Sequence, residues 1–460
     1  MSRTGLRIIL ILLTLLIAVA IPILADGNSE IRKAAEAESY PEMAEHYVRA
    51  ARRLPWRTDL YELAGHAYFH DRDFAQADAM YGIAHEKNAL TPAGWAAWGD
   101  VNFLNEEPSR AIEIWKQGLE QAEFLPGLYQ RLAYAVQDQG EFSLAAEYFQ
   151  AYLERDPNDA TAHYRLGLLL TLTGSPSAWM ELLAASQLDP QFGPPAETLR
   201  SALSLAALDE SSSQQFVIIG AGLGLVGEWQ LARAAFESAA QADGLNAEAW
   251  AWLGEADQHT GSEGIEALNR ALALNPNSAV VRGLRGLYFE RVGNSSQALS
   301  EHQAAALLDA KNPQRYFSLG NAYALNGDLI RALETYQYAA SLAPEDANTW
   351  RTLAEFCGRF GIHLNDIGIP AAQRAVALDP KNSASEDTLG WLWYLNEDFP
   401  SAERHLLAAL ALDAQNASAH LHLGMVYMQT NDRARALSEI TLARDLGHPQ
   451  AGALLEQLSP

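Results

Sequence analysis

The sequence predicts an all-α solenoid: short helix pairs in single file, each leaning on the next. Three observations predict it. Tyr316 to Pro344 carries two apolar stripes at i, i+3, i+4 and i+7 spacing, split by Asn326-Gly327-Asp328. The first stripe predicts a helix A over Pro313 to Leu325, and the second a helix B over Leu329 to Leu342. The small residue after the helix A leucine then recurs along the chain. It stands at Gly65, Gly99, Ala133 and Gly167, each 34 after the last. It stands again at Gly220, Gly254, Gly286, Gly320, Ala354, Gly390 and Gly424, at intervals of 34, 32, 34, 34, 36 and 34. An alanine follows most of these by twelve residues, as at Ala77, Ala332 and Ala436. Four residues later comes a large side chain, as at Tyr81, Trp115, Tyr336 and Ile440. A pair this short cannot bury both apolar faces alone, so about eleven units must stack.

The order Tyr316-x-x-Leu319-Gly320-x-x-Tyr323, Gly327, Ala332-x-x-x-Tyr336-x-x-Ala339, Pro344 resembles the tetratricopeptide repeat, a helix–turn–helix unit of 34 residues. The resemblance extends over most of the chain. It implies a right-handed α-solenoid in which the small residue of helix A faces the small residue of helix B, with large residues filling either side. It also implies a non-catalytic scaffold that binds proteins or peptides, with no cofactor and no metal.

The chain opens on different material. Ser2-Arg3-Thr4-Gly5-Leu6-Arg7 is short and basic, and Ile8 to Ile21 is almost wholly Ile, Leu, Val and Ala. Residues 1–27 are therefore expected to be a signal anchor or signal peptide. Leu6 to Ala25 is just long enough to span a bilayer. The arginines before it favour a cytoplasmic N-terminus, which places the array on the extracytoplasmic side of the cytoplasmic membrane. No Cys follows the apolar run, so a bacterial lipoprotein anchor is excluded.

Residues 28–56 are expected to form a capping half-repeat, with Met43, Tyr47 and Ala50 in helix B register. Residues 57–190 hold a block of four repeats, closed by prolines at Pro157 and Pro190. Residues 191–213 exceed the period: Gly193-Pro194-Pro195 starts a lone helix with a Leu199, Leu203, Leu205 and Leu208 stripe, read as a joint. Residues 214–448 hold seven repeats, with one loop lengthened near Gly361-Ile362-His363-Leu364-Asn365. Residues 449–460 are expected to be a capping helix that turns Ala453, Leu454 and Leu458 inward.

Composition narrows the function. A formal charge of −25 with only five lysines argues against nucleic acid, whose phosphates need clustered Lys and Arg. The single cysteine, Cys357, precludes an intrachain disulfide and takes a helix A core position. Phe216-Val217-Ile218-Ile219 before Gly222-x-Gly224-x-x-Gly227 imitates a dinucleotide fingerprint. No strand–helix alternation surrounds it, and the repeat register accounts for the same glycines. His66 and His70 lie four apart on one helix, but no third ligand falls at fixed spacing near them. Trp95, Trp250, Trp350, Trp393 and Trp115 fall on aromatic positions of the repeat. The rival class is an all-α enzyme, or a regulatory subunit, of a polysaccharide-processing or export system. An enzyme there would need convergent carboxylates, and no acidic pair stands out.

The resemblance further implies that helix A lines a concave groove, through the residue after the small one and those three and four later. In repeats one to three these are His66, Phe69, His70, Asp100, Phe103, Leu104 and Tyr134; in the last two, Trp391, Tyr394, Leu395, Met425 and Met428. Such an aromatic and methionine surface suits a peptide or a partner helix. The Lys and Asn clamp by which one branch of the family grips a terminal carboxylate is absent: its positions hold Glu62, Ala96 and Gln130, then His66, Asp100 and Tyr134.

Overall fold

A computed structural model describes residues 21–121 and 125–458. Among the described residues every regular element is a helix. The fold is the expected all-α solenoid of helix–turn–helix units. Helix α1 is already formed at residue 21 and runs to 36, followed by α2 (Tyr40–Arg53). Four A/B pairs follow: α3 (Asp59–His70) and α4 (Phe74–Glu86), α5 (Pro92–Leu104) and α6 (Pro108–Gln121), α7 (Pro126–Asp138) and α8 (Phe142–Leu153), α9 (Ala160–Leu172) and α10 (Ala178–Leu188). The lone α11 spans Gly193–Ala206. Then come α12 (Ser212–Leu225) and α13 (Trp229–Ala242), α14 (Ala247–His259) and α15 (Ile265–Leu274), α16 (Ala279–Arg291) and α17 (Ser295–Leu308). The last are α18 (Pro313–Leu325) and α19 (Leu329–Leu342), α20 (Ala347–Phe360) and α21 (Ile369–Leu378), α22 (Ser383–Leu395) and α23 (Phe399–Leu412), α24 (Ala417–Gln429) and α25 (Arg433–Asp445), closed by α26 (Ala451–Leu458). The chain divides into two compact units, residues 1–211 with 218–235 and residues 212–217 with 236–460.

Local chemistry sets the boundaries. Helix B of the best repeat starts where the Asp328 side chain accepts from the Arg331 N–H at 3.0 Å; Asp73, Asp398 and Asp432 cap their helices alike. Helix A ends on a left-handed residue seven after each small position. This holds in all eleven repeats: glycine in seven, and Arg72, Glu106, Glu397 and Asn431 in the others, with φ of 58° to 64°. At Gly327, φ is 80°, which glycine adopts without penalty. The lengthened loop resolves into a π-turn at Leu364–Gly368, entered through left-handed Gly361 and His363.

The eleven small residues are all buried, and in the best repeat Gly320 lies against the helix B alanine, Ala332, as the resemblance implies. Several of the small glycines are also covered by the large side chain of helix B. A β-carbon on Gly320 would lie 2.6 Å from the Tyr336 ring, on Gly65 2.9 Å from Tyr81, and on Gly390 2.7 Å from Leu406. Trp115 over Gly99 and Ile440 over Gly424 repeat the arrangement. The backbones still come close, since the Ala332 carbonyl would be 3.4 Å from that same Gly320 β-carbon. So glycine here makes room for a large side chain, which closes the hairpin.

Three expectations at the edges need correction. The boundary at 27 falls inside continuous α1, where Gly27 is buried under Leu54. The lone helix packs through Ala196, Leu199, Ala202 and Ala206, leaving Leu205 58% and Leu208 82% exposed. Its small residues win because a β-carbon on Gly222 of α12 would sit 2.5 Å from Ala202: close approach, not side-chain bulk, decides the face. In the last helix Ala451, Leu454 and Leu455 face inward, while Ala453 is exposed. The glycines of the dinucleotide look-alike are explained by packing inside and just after α12, with Gly224 against the Trp229 ring and Gly227 left-handed. Most of the expected signal segment, residues 1–20, lies outside the described residues. Among the described residues no helix is long and apolar enough to cross a membrane.

Candidate partner-binding site

Successive A helices touch across repeats, α3 with α5, α14 with α16, and α20 with α22 and then α24. Polar bonds about one period apart tie several neighbouring repeats. Glu62 on α3 accepts from both the backbone N–H and the hydroxyl of Thr91, each at 2.6 Å. Burial pushes the Glu62 carboxyl up, but hydrogen bonds from His66 and Thr91 outweigh it and hold it below its ordinary value. Arg131 on α7 grips Asp100 on α5. In the second unit Arg291 of α16 pairs with Glu255 of α14, which is 4% exposed.

The N-terminal candidates divide by exposure. His66 is engaged, with Nδ1 2.8 Å from the Tyr81 hydroxyl and Nε2 3.4 Å from Glu62. Phe69 packs into the core around Tyr81 and Trp95, and Tyr134 meets Phe149 edge-on at 5.2 Å. What stays open is His70, stacked on Tyr40 at 5.1 Å, together with Phe103 and Leu104, 38% and 54% exposed. His66 and His70 thus serve different neighbours.

The C-terminal candidates form a stack. The Trp391 ring lies 5.0 Å from Tyr394 and 4.4 Å from His422, within 14° and 20° of parallel. His422 is held by Asp387, Nδ1 to Oδ1 2.7 Å. Gly358 of α20 leaves space for Leu392, which would lie 3.0 Å from a β-carbon there, with Trp391 next at 3.5 Å. Met425 and Met428 are half-buried against the cluster of Leu421, Ile440 and Ala451. Burial and the nearby His422 hold His448 below the usual imidazole range. Tyr40, Gly358 and His422 escaped the sequence reading because each contact joins residues from different helices at no fixed register. Separately, a pocket of about 570 Å³ opens beside the π-turn, lined by Trp350, Leu353, Ile367, Pro370 and Arg374 among others.

A family model described as "Tetratricopeptide repeat" matches residues 131–191 and 388–451, and a second of the same description matches 313–346. These stretches fall on α7–α10, α22–α25 and α18–α19. Tetratricopeptide repeat protein 37 of Xenopus laevis is 27% identical over 244 residues, 52% of this chain and 14% of that protein. The BBSome complex member BBS4 homolog of Drosophila melanogaster is 26% identical over 191 residues, 41% of this chain and 39% of its own. The chain thus spans a minor part of the length of these relatives. Among solved structures, yeast Tom70 aligns over 96% of both chains with 16% identity and a TM-score of 0.43. Over these stretches the chain carries tetratricopeptide repeats.

Proposed function

We propose that this tetratricopeptide array is a non-catalytic scaffold that holds a protein or peptide partner against the wall of its A helices. The observation that carries this reading is the open apolar step on α5, Phe103 with Leu104; the stacked Tyr40 and His70 belong to the same unit. Exposed apolar side chains fixed on a rigid, cross-linked wall offer burial at low ordering cost. The Trp391–Tyr394–His422 stack forms a second candidate surface in the other unit. Relatives named as members of multi-protein complexes, such as the BBSome homolog, support the scaffold reading.

The array works on the extracytoplasmic side, tethered through its N-terminal segment, as part of a membrane or envelope assembly. The basic start at Arg3 and Arg7 followed by Ile8 to Ile21 supports this placement. Affinity capture from membranes with the intact chain tests the binding site. Phe103→Ala with Leu104→Ala should lose the partner while helicity is retained, and undiminished capture would reject the surface. Protease accessibility of the array in intact cells, with the chain in the membrane fraction, tests the placement.

A further inference from the structure

In five of the eleven repeats the side chain four residues before the small one reaches back to donate to, or lie within bonding distance of, the carbonyl six residues earlier. Trp250 Nε1 donates to the Gly244 carbonyl at 3.1 Å, and Trp350 Nε1 to Pro344 at 2.9 Å. Arg282 Nε donates to Pro276 at 3.0 Å, and its other arm bonds Glu301 of helix B at 2.9 Å. Repeat seven thus sets a permanent cation between a carbonyl and a carboxylate.

Histidine takes this position twice. His163 has Nε2 3.0 Å from the Pro157 carbonyl and Nδ1 2.6 Å from Glu181 on α10. His420 has Nε2 3.1 Å from the Ala414 carbonyl and Nδ1 2.6 Å from Glu439 on α25. Carbonyls and ionised carboxylates only accept, and a neutral imidazole carries a single N–H. Only the imidazolium satisfies both acceptors, as the Arg282 guanidinium does. In repeat ten the pair is reversed across the hairpin, with Glu386 on helix A and His405 on helix B 2.7 Å apart.

We propose that His163 and His420 are proton-operated latches that tie helix A to helix B in the repeats before α11 and before α26. Protonation closes both bonds of each latch; loss of the proton breaks one and loosens that hairpin. The elements packed against each latch carry other charged groups. Beside α9 they are Asp156 and Asp159, both bonded to the Tyr152 hydroxyl of α8, Arg155 in the same turn, and Arg200 on α11. Beside α24 they are the Glu386–His405 pair and Arg404 of the preceding repeat.

Amide hydrogen exchange on the intact chain tests this, at about pH 6 and about pH 8, with rates corrected for intrinsic exchange. In α9–α10 and α24–α25, opening should be about two- to tenfold rarer at the lower pH, the size of one net hydrogen bond. The Arg282 hairpin, α16–α17, should not respond. His163→Arg with His420→Arg should keep the low-pH protection at both values. His163→Gln with His420→Gln, which supplies one donor arm only, should show the high-pH behaviour throughout. Equal responses in the histidine and arginine hairpins would mean a general relief of the negative charge and overturn the proposal. So would glutamine variants that keep the full pH response.

Discussion

The Arg131 guanidinium of α7 meets the Asp100 carboxylate of α5 through two hydrogen bonds, Nε to Oδ1 at 2.6 Å and the second amino group to Oδ2 at 2.9 Å. This fork–fork geometry joins one repeat to the next on the surface proposed for the partner. It is partly solvated, so its worth is modest. Asp100→Asn should cost about 1 kcal/mol or less, read as a small drop in the denaturation midpoint. A large drop would mean that the wall depends on this one pair.

The ring-over-glycine contact should be far less forgiving. Tyr336 is 3% exposed and its hydroxyl donates to Asn321 at 2.7 Å, so it cannot swing away from a new side chain on Gly320. Gly320→Leu should destabilise by roughly 1–3 kcal/mol through overpacking. Thermal unfolding followed by circular dichroism would show it, and an unchanged profile would contradict the packing described.

Left-handed residues offer the opposite change. Arg72, Glu106 and Glu397 hold φ near 63° where seven repeats have glycine. The left-handed region costs a non-glycine residue about 1–2 kcal/mol, partly offset by the greater chain freedom glycine loses on folding. Each →Gly change should therefore stabilise by roughly 0.5–1 kcal/mol, seen as a raised midpoint in urea.

Acid should act early on the first hairpin. Glu30 on α1 accepts from Lys33 at 2.8 Å and meets His46 on α2 at 2.7 Å; these bonds lower its carboxyl from 4.5 to about 2. A depressed carboxyl stabilises above its unfolded value and loses that contribution as pH falls toward its folded one. Glu30→Gln should weaken the α1–α2 pair at neutral pH, with the difference from the parent closing between 4.5 and about 2. Exchange protection of α2 across that range would measure it.

Cys357 should report opening of the second unit. It is fully buried, and burial pushes its thiol up to about 11. Labelling of the native chain near pH 8 should be slower than in denaturant by about a hundredfold or more, because reaction waits on opening. Comparable rates in both states would contradict its burial.

Much of this was legible in the sequence. The helix limits at Pro313, Leu325, Leu329 and Leu342 were readable because a proline at the first helical turn, the cap at Asp328 and the turn glycine write them locally. The period of 34 was readable because one small residue per repeat must admit a large side chain. What the sequence hid depends on contacts between repeats. The Trp391 stack includes His422 from the next repeat, so a residue that looked like an open plate already has neighbours along its rings. The inward face of α11 was misjudged because its leucines outweigh its alanines by volume, yet only the alanines permit the approach of Gly222. The left-handed role of Arg72, Glu106 and Glu397 carries no residue signature at all.

Helix α1 runs unbroken from residue 21 past buried Gly27 and Glu30 to residue 36. Force or torque applied at residue 21 therefore has no swivel in which to dissipate. It travels as through a lever to the seat of Gly27 under Leu54, and the orientation of the first repeat follows whatever grips that shaft.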